Sequence, residues 1–182
     1  MKKRLIITLC LINVLIVILS GCDGNYDINQ LYEITDNGNF TYDYVIKDRH
    51  DNILISDKDV SRKPKVNVIN EDLLSISVQT GTGISTRWTI YCDVNSGDVS
   101  DTYYSVLGEY EENVVFVNYD NGRHSVIIQD IFNKGEYLKE VVLEDVSETV
   151  DPIVDYVKFD NKIKIMYLKG NNFLETELII EM

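Results

Sequence analysis

Three cysteines and two histidines are the side chains of this 182-residue chain best suited to covalent or metal chemistry. A thiolate can attack an acyl centre, hold a metal or accept a lipid, and its exposure and neighbours decide which. Cys10 lies in the N-terminal leader, residues 1–21, and Cys22 follows directly at the site described below, so Cys92 is the one thiol left in the body and has no internal disulfide partner. Trp88, Ile90, Cys92 and Val94 share one strand parity, and Arg87, Thr89, Tyr91 and Asp93 take the other. Cys92 therefore falls on an apolar face and reads as a buried structural thiol, since a reactive one needs exposure and a cationic neighbour. Neither His50 nor His124 sits in a metal spacing. Both read as solvent-facing hairpin residues, His124 just after the Asn121-Gly122 turn and His50 in the polar corner 47–51. Thr80-Gly81-Thr82-Gly83 has half the form of a phosphate loop without the lysine or the following helix, so a hairpin loop is the better reading. Asp57, Asp59 and Asp120 could offer oxygen ligands, but no acidic loop with calcium spacing contains them. No spacing singles out two carboxylates for glycoside hydrolysis. The expectation is no catalytic residue, no metal and no cofactor.

The strongest chemical signal is at the N-terminus. Lys2-Lys3-Arg4 precedes an uncharged apolar run over residues 5–19. As a helix this run spans about 22 Å, short of the roughly 30 Å hydrocarbon core, so it reads as a secretory leader helix rather than a membrane span. Leu19-Ser20-Gly21-Cys22 follows. The tetrapeptide resembles the lipobox of bacterial lipoproteins. The resemblance covers residues 1–22 and implies cleavage between Gly21 and Cys22, with a diacylglycerol carried on the Cys22 thiol. It also implies a protein anchored to the cell membrane through that lipid and facing the extracytoplasmic side. Two acyl chains hold where one would exchange, because each buried methylene contributes roughly 0.8 kcal/mol.

Behind the leader the composition favours strands. The chain has no alanine, the best helix former, and is rich in Val, Ile and Tyr. Residues 22–38 are polar and read as a tether with a reach on the order of 20 Å. Ile28, Leu31, Tyr32 and Ile34 also allow a short helix or a docked strand there. Residues 39–182 read as a single all-β domain, an antiparallel meander of repeated hairpins. Strand-like runs cover 40–47, 52–56, 65–70, 72–80, 85–94, 98–106, 113–119, 123–132, 137–143, 153–159, 162–168 and 173–180. Asn95-Ser96-Gly97, Asp120-Asn121-Gly122 and Gly170-Asn171-Asn172 are turn signals between them. Pro64 and Pro152 stand at strand entrances, and 144–150 is the one candidate for a helical turn.

The hairpins repeat. Residues 71–104 and 112–143 share an order of strand, turn, strand, Asp-apolar corner with Asn-x-Gly, and strand; a third copy starts at Asn161. The starts lie 41 and 49 residues apart. The corner resembles the outer hairpin of β-propeller blades, which implies a propeller-like arrangement; a β-sandwich of similar hairpins is the alternative. The N-terminal strands could complete the last unit, or the sheet could stay open.

The charge limits the partners. There are 30 acidic against 17 basic residues, and three of the basic ones lie in the leader. Such acidity argues against nucleic acid. Arg62-Lys63-Pro64-Lys65 is the sole basic knot of the acidic body and reads either as an exposed loop or as the point where the domain meets anionic lipid or wall polymer. Twelve tyrosines, with Tyr103, Tyr104 and Tyr110 near one corner, suit glycan or protein contacts. Together these point to a lipid-anchored binding or interaction domain with an envelope protein or wall glycan as partner. A small envelope enzyme acting on glycan or peptide, and an accessory or sensor subunit of a membrane complex, are the alternatives.

Overall fold

The computed structural model describes residues 27–81, 86–147 and 152–182. The leader, Gly21 and Cys22 lie outside the described residues, as do Thr82 and Gly83.

The described chain is all-β. After one 3₁₀ turn, Ile28–Gln30, come fourteen strands in four sheets. Sheet 1 holds β1 (Tyr32–Gly38), β2 (Thr41–Lys47) and β3 (Ile53–Val60). Sheet 2 holds β4 (Lys65–Val68), β5 (Leu73–Gln79), β6 (Arg87–Asp93) and β7 (Tyr103–Tyr104). Sheet 3 holds β8 (Val106–Tyr110), β9 (Asn113–Asp120), β10 (Arg123–Asp130) and β11 (Tyr137–Leu143). Sheet 4 holds β12 (Ile153–Phe159), β13 (Lys162–Lys169) and β14 (Leu174–Glu181). Each strand pairs antiparallel with its neighbour in sequence, so every sheet is a simple meander.

Burial shows how the sheets stack. In β5 six consecutive residues are buried, and in β10 five are, so both faces of sheets 2 and 3 are covered. In β2 and β13 burial alternates with the pleat, as expected when one face packs and the other meets water. Three apolar clusters join sheet 1 to sheet 2 (Ile46, Leu74, Cys92), sheet 2 to sheet 3 (Leu73, Tyr103, Val114) and sheet 3 to sheet 4 (Val126, Ile163, Ile165). Among the described residues no such cluster joins sheet 4 to sheet 1. The arrangement is a series of four blade-like sheets, not the two layers of a sandwich, and the series stays open. Between sheets 3 and 4, Gly108 of β8 leaves no room for a side chain beside Tyr156 of β12. A Cβ there would lie 2.5 Å from the Tyr156 ring.

One backbone bond marks the repeat. Val94 N–H donates to Asp72 O (2.8 Å), Ile131 to Glu112 (3.1 Å), Met182 to Asn161 (2.8 Å) and Lys47 to Leu31 (2.8 Å). The bond makes β1, β5, β9 and β13 equivalent, and likewise β2, β6, β10 and β14. Sheets 2 and 3 carry all four strands of the unit. Among the described residues sheet 1 lacks the first strand and sheet 4 the last.

Two expectations need correction. Residues 27–38 are not a tether. Leu31 is 2% exposed and β1 pairs with β2 from Tyr32 to Gly38. Leu31 joins the cluster between sheets 1 and 2, and Ile28, Tyr32 and Ile34 pack against it, so the described domain begins at Asp27 rather than residue 39. Nor does the described part of the candidate helical turn 144–150 form one, because Val146 bridges Lys169 of sheet 4 instead; residues 148–150 lie outside the described residues.

Candidate functional site

The meander gives the domain two ends with different chemistry. The β1–β2, β9–β10 and β13–β14 turns and the links between sheets lie at one, the turn end. The corners after β2, β6 and β10 lie at the other, the corner end, together with the entering chain at Leu31.

At the corner end, polar side chains are committed to the backbone. Asp48 is buried, and its Oδ1 accepts the N–H groups of His50 and Asn52, both at 2.8 Å. Its other oxygen accepts the Asn52 side-chain amide at 2.7 Å. That amide, with the two N–H groups, holds the carboxyl below its ordinary value against the opposing effect of desolvation. Asp93 binds the N–H groups of Asn95 and Ser96, and Asp130 binds those of Phe132 and Asn133, all between 2.8 and 2.9 Å. Gly97 and Gly135, at φ 83° and 93°, then turn the chain as their type allows. Arg49 reaches across sheets, with its N–H on Val94 O at 3.0 Å and its guanidinium 2.6 Å from the Asp72 carboxylate. An acidic hollow of about 300 Å³ does lie here, lined by Asp72, Asp93, Glu112 and Asp130. Three of those four carboxylates already hold the corners or pair with Arg49.

At the turn end the side chains enclose space. A hollow of about 840 Å³ runs over Tyr119, Arg123 and His124 to Glu144, Asp145 and Ser147. A second, of about 370 Å³, adjoins it through Tyr119 and His124 and continues to Tyr104, Ser105, Asn118 and Pro152. Local sequence explains the position of each group. Asn121 and Gly122, at φ 51° and 78°, form a two-residue turn whose twist matches the strands. This turn sets Asp120 opposite Arg123 and Tyr119 opposite His124. The Tyr119 and His124 rings consequently pack at 4.7 Å. Ser105, at φ 57°, swings the chain out of β7 and leaves Tyr104 on the rim. Asp145, at φ 52°, folds the link after β11 back onto sheet 4, where its carbonyl accepts the Gly170 N–H at 2.6 Å. The Ser147 N–H donates to Leu168 O at 2.9 Å. Tyr104 and Tyr119 remain 68% and 64% exposed. Arg123 supplies donors and Glu144 and Asp145 supply acceptors, so the hollow presents both signs of charge.

The residues singled out from sequence fare unevenly. Cys92 is fully buried between sheets 1 and 2, where its apolar strand face placed it, and burial pushes its thiol pKa up to about 12, which disfavours the thiolate a nucleophile needs. His50 is exposed at the corner end; His124 is half-buried in the turn-end hollow, a correction to the solvent-facing expectation. Asp57 and Asp59 lie on β3 and Asp120 ends β9, and among the described residues no group of three His, Cys, Asp or Glu could hold a metal. Thr80 N–H donates to Thr86 O at 2.7 Å, closing the hairpin around the glycine-rich stretch. The three tyrosines expected at one corner separate. Tyr103 is buried with its hydroxyl on Ile131 O (2.8 Å), Tyr104 stands at the turn end, and Tyr110 ends β8 at the corner end, 4.6 Å beneath Lys158 Nζ. Arg62, Lys63 and Lys65 are exposed at the turn end. Tyr119, Arg123, Glu144 and Asp145 escaped sequence reading. Tyr119 was accessible to it, because a two-residue turn at Asn121-Gly122 fixes Tyr119 as the partner of His124.

Comparison with protein-family models, with curated proteins and with solved structures finds no match to this chain.

Proposed function

We propose that this chain is a bacterial lipoprotein, anchored at Cys22 to the outer side of the cell membrane, whose β domain binds an envelope component through its turn end. The observation that carries the reading is where the chain enters the fold. Asp27 and the 3₁₀ turn lead to Leu31 at the corner end, and Lys47 N–H seals that entry. Only residues 23–26 separate the expected lipid site from Asp27, a reach of at most about 18 Å even fully extended. Strands of eight residues, such as β9, then carry the turn end about 27 Å further. An anchor at Cys22 keeps the corner end near the bilayer and directs the turn-end hollow outward. In this orientation the basic knot at Arg62-Lys63-Pro64-Lys65 also points away from the lipid.

Labelling of cells with radioactive palmitate tests the anchor. Label on the wild-type protein and none on Cys22→Ala, with the variant accumulating unprocessed, is the expected result. Equal labelling of the two, or membrane retention of Cys22→Ala without unprocessed protein, contradicts the reading.

A further inference from the structure

We infer that the turn-end hollow is a binding site for a neutral glycan chain. The inference deepens the recognition role proposed for that end and rests on it. Three observations converge.

The first is shape. The two hollows adjoin through Tyr119 and His124 and together form an open trough crossing from sheet 3 toward the start of sheet 4. Each falls within the volume range of ligand sites, and the trough form suits a chain more than a compact molecule.

The second is the pair of exposed tyrosines. Tyr104 and Tyr119 both border the smaller hollow while remaining 68% and 64% exposed. A large ring left in water is a contact surface in waiting, and tyrosine offers flat apolar area at small entropic cost. The C–H-rich face of a pyranose matches that area. Tyr119 is held by the His124 ring at 4.7 Å, so less ordering remains to be done on binding.

The third is the mixture of hydrogen-bonding groups. Arg123 can only donate, while ionised Glu144 and Asp145 can only accept. Asn118, in the adjoining hollow, does both. An anionic ligand would meet two carboxylates, and a cationic one would meet the guanidinium. A hydroxyl donates and accepts at once, so a polyhydroxyl chain without net charge satisfies all four residues. The excess of acidic residues in the whole chain acts in the same direction by disfavouring polyanionic wall polymers.

The test uses the full lipidated protein in detergent micelles, titrated calorimetrically with cellotetraose, with the tetramer of N-acetylglucosamine, and with an uncharged extended tetrapeptide. Saturable binding of one of the sugars is expected. Tyr104→Ala and Tyr119→Ala should each weaken it roughly tenfold, the scale of a lost aromatic anchor. Glu144→Gln, on an exposed side chain that cannot disturb the fold, should weaken it less. Phe159→Ala, at the corner end, should leave it unchanged. Trp88 fluorescence and far-ultraviolet circular dichroism confirm that each variant is folded. No saturable binding of either sugar overturns the glycan assignment. So does tyrosine-dependent binding of the peptide alone, though that outcome preserves the recognition role of the turn end. Sugar binding that survives both tyrosine variants but is lost with Phe159→Ala overturns both the site and the role.

Discussion

The two ends of this domain are built from the same fourteen strands, yet they use their polar residues in opposite ways. At the corner end, Asp48, Asn70, Asp93 and Asp130 each bind backbone N–H groups within their own corner. At the turn end, Tyr119, Arg123, Glu144 and Asp145 face a hollow. A carboxylate that holds a turn satisfies donors that would otherwise be orphaned, and such a residue contributes to stability. A polar or aromatic group that lines open space contributes little to stability and is free to meet a ligand. The difference separates what holds the fold from what the fold presents.

The largest expected effect comes from breaking the corner end in its core. Ile131 is 1% exposed and lies beneath the corner that Asp130 closes. Ile131→Ala should lower unfolding stability by about 3 kcal/mol in urea titrations. Tyr119→Ala, at the opposite end, should stay within about 0.5 kcal/mol of wild type. Comparable losses in the two variants would dissolve the contrast.

Next in size is Gly108→Ala. The added Cβ meets the Tyr156 ring at 2.5 Å, so the ring or the strand behind it must shift, at a cost of about 1–3 kcal/mol. The loss should appear as a lower urea midpoint while the pairing within sheet 3 survives, as read by hydrogen exchange.

The pH dependence sharpens the comparison from the acid side. Asp48 is held below its ordinary value in the folded state. Its contribution is therefore complete above the unfolded carboxylate value and is lost as pH falls through the lower folded value. Asp48→Asn should flatten that part of the acid-unfolding curve. On the alkaline side the sign reverses. Burial raises Cys92 and Tyr156 to about 12 each. Their protonated forms favour the folded state, so stability is complete below about pH 9 and declines as pH rises toward 12. Thiol reagents at neutral pH should leave Cys92 unmodified until the protein unfolds.

The smallest effect concerns the surface pair Lys169–Glu144, at 3.8 Å between exposed side chains. Removing it should change stability by less than about 0.5 kcal/mol.

Much of the strand order was legible because the pleat writes burial into the sequence. The continuous apolar character of Leu73–Gln79 and the turn at Asn121-Gly122 place β5, β9 and β10 directly. The repeat beginning at Glu71, Glu112 and Asn161 reappears as the bonds from Val94, Ile131 and Met182. Residues 27–38 were harder to place. Asn29, Asn37 and Gly38 give the segment the polarity of a tether, but Leu31 and its neighbours fill one side of the cluster between sheets 1 and 2. Tertiary contact outweighed local polarity. The site was less legible than the fold. Tyr119 and His124 are joined by a turn that can be read locally. Glu144, Asp145 and Ser147 reach the same hollow only through the link between sheets 3 and 4, a path that no local pattern announces. Ile128 and Ile179 show the same limit in packing. They occupy equivalent positions in β10 and β14, yet one is fully buried and the other 52% exposed, because among the described residues no further sheet covers sheet 4.

The proposed anchor at Cys22 would stand the corner end on the membrane and turn the turn end away from it. Fluorophores placed on Glu112→Cys and on Asp120→Cys, at opposite ends of β9, test it in the lipidated protein reconstituted into vesicles with a headgroup acceptor dye. Cys92 is buried and takes no label under native conditions. The account predicts strong energy transfer from the Glu112 site and weak transfer from the Asp120 site, which lies about 27 Å further out along the eight residues of β9. Equal transfer from the two sites, or stronger transfer from Asp120, would contradict it.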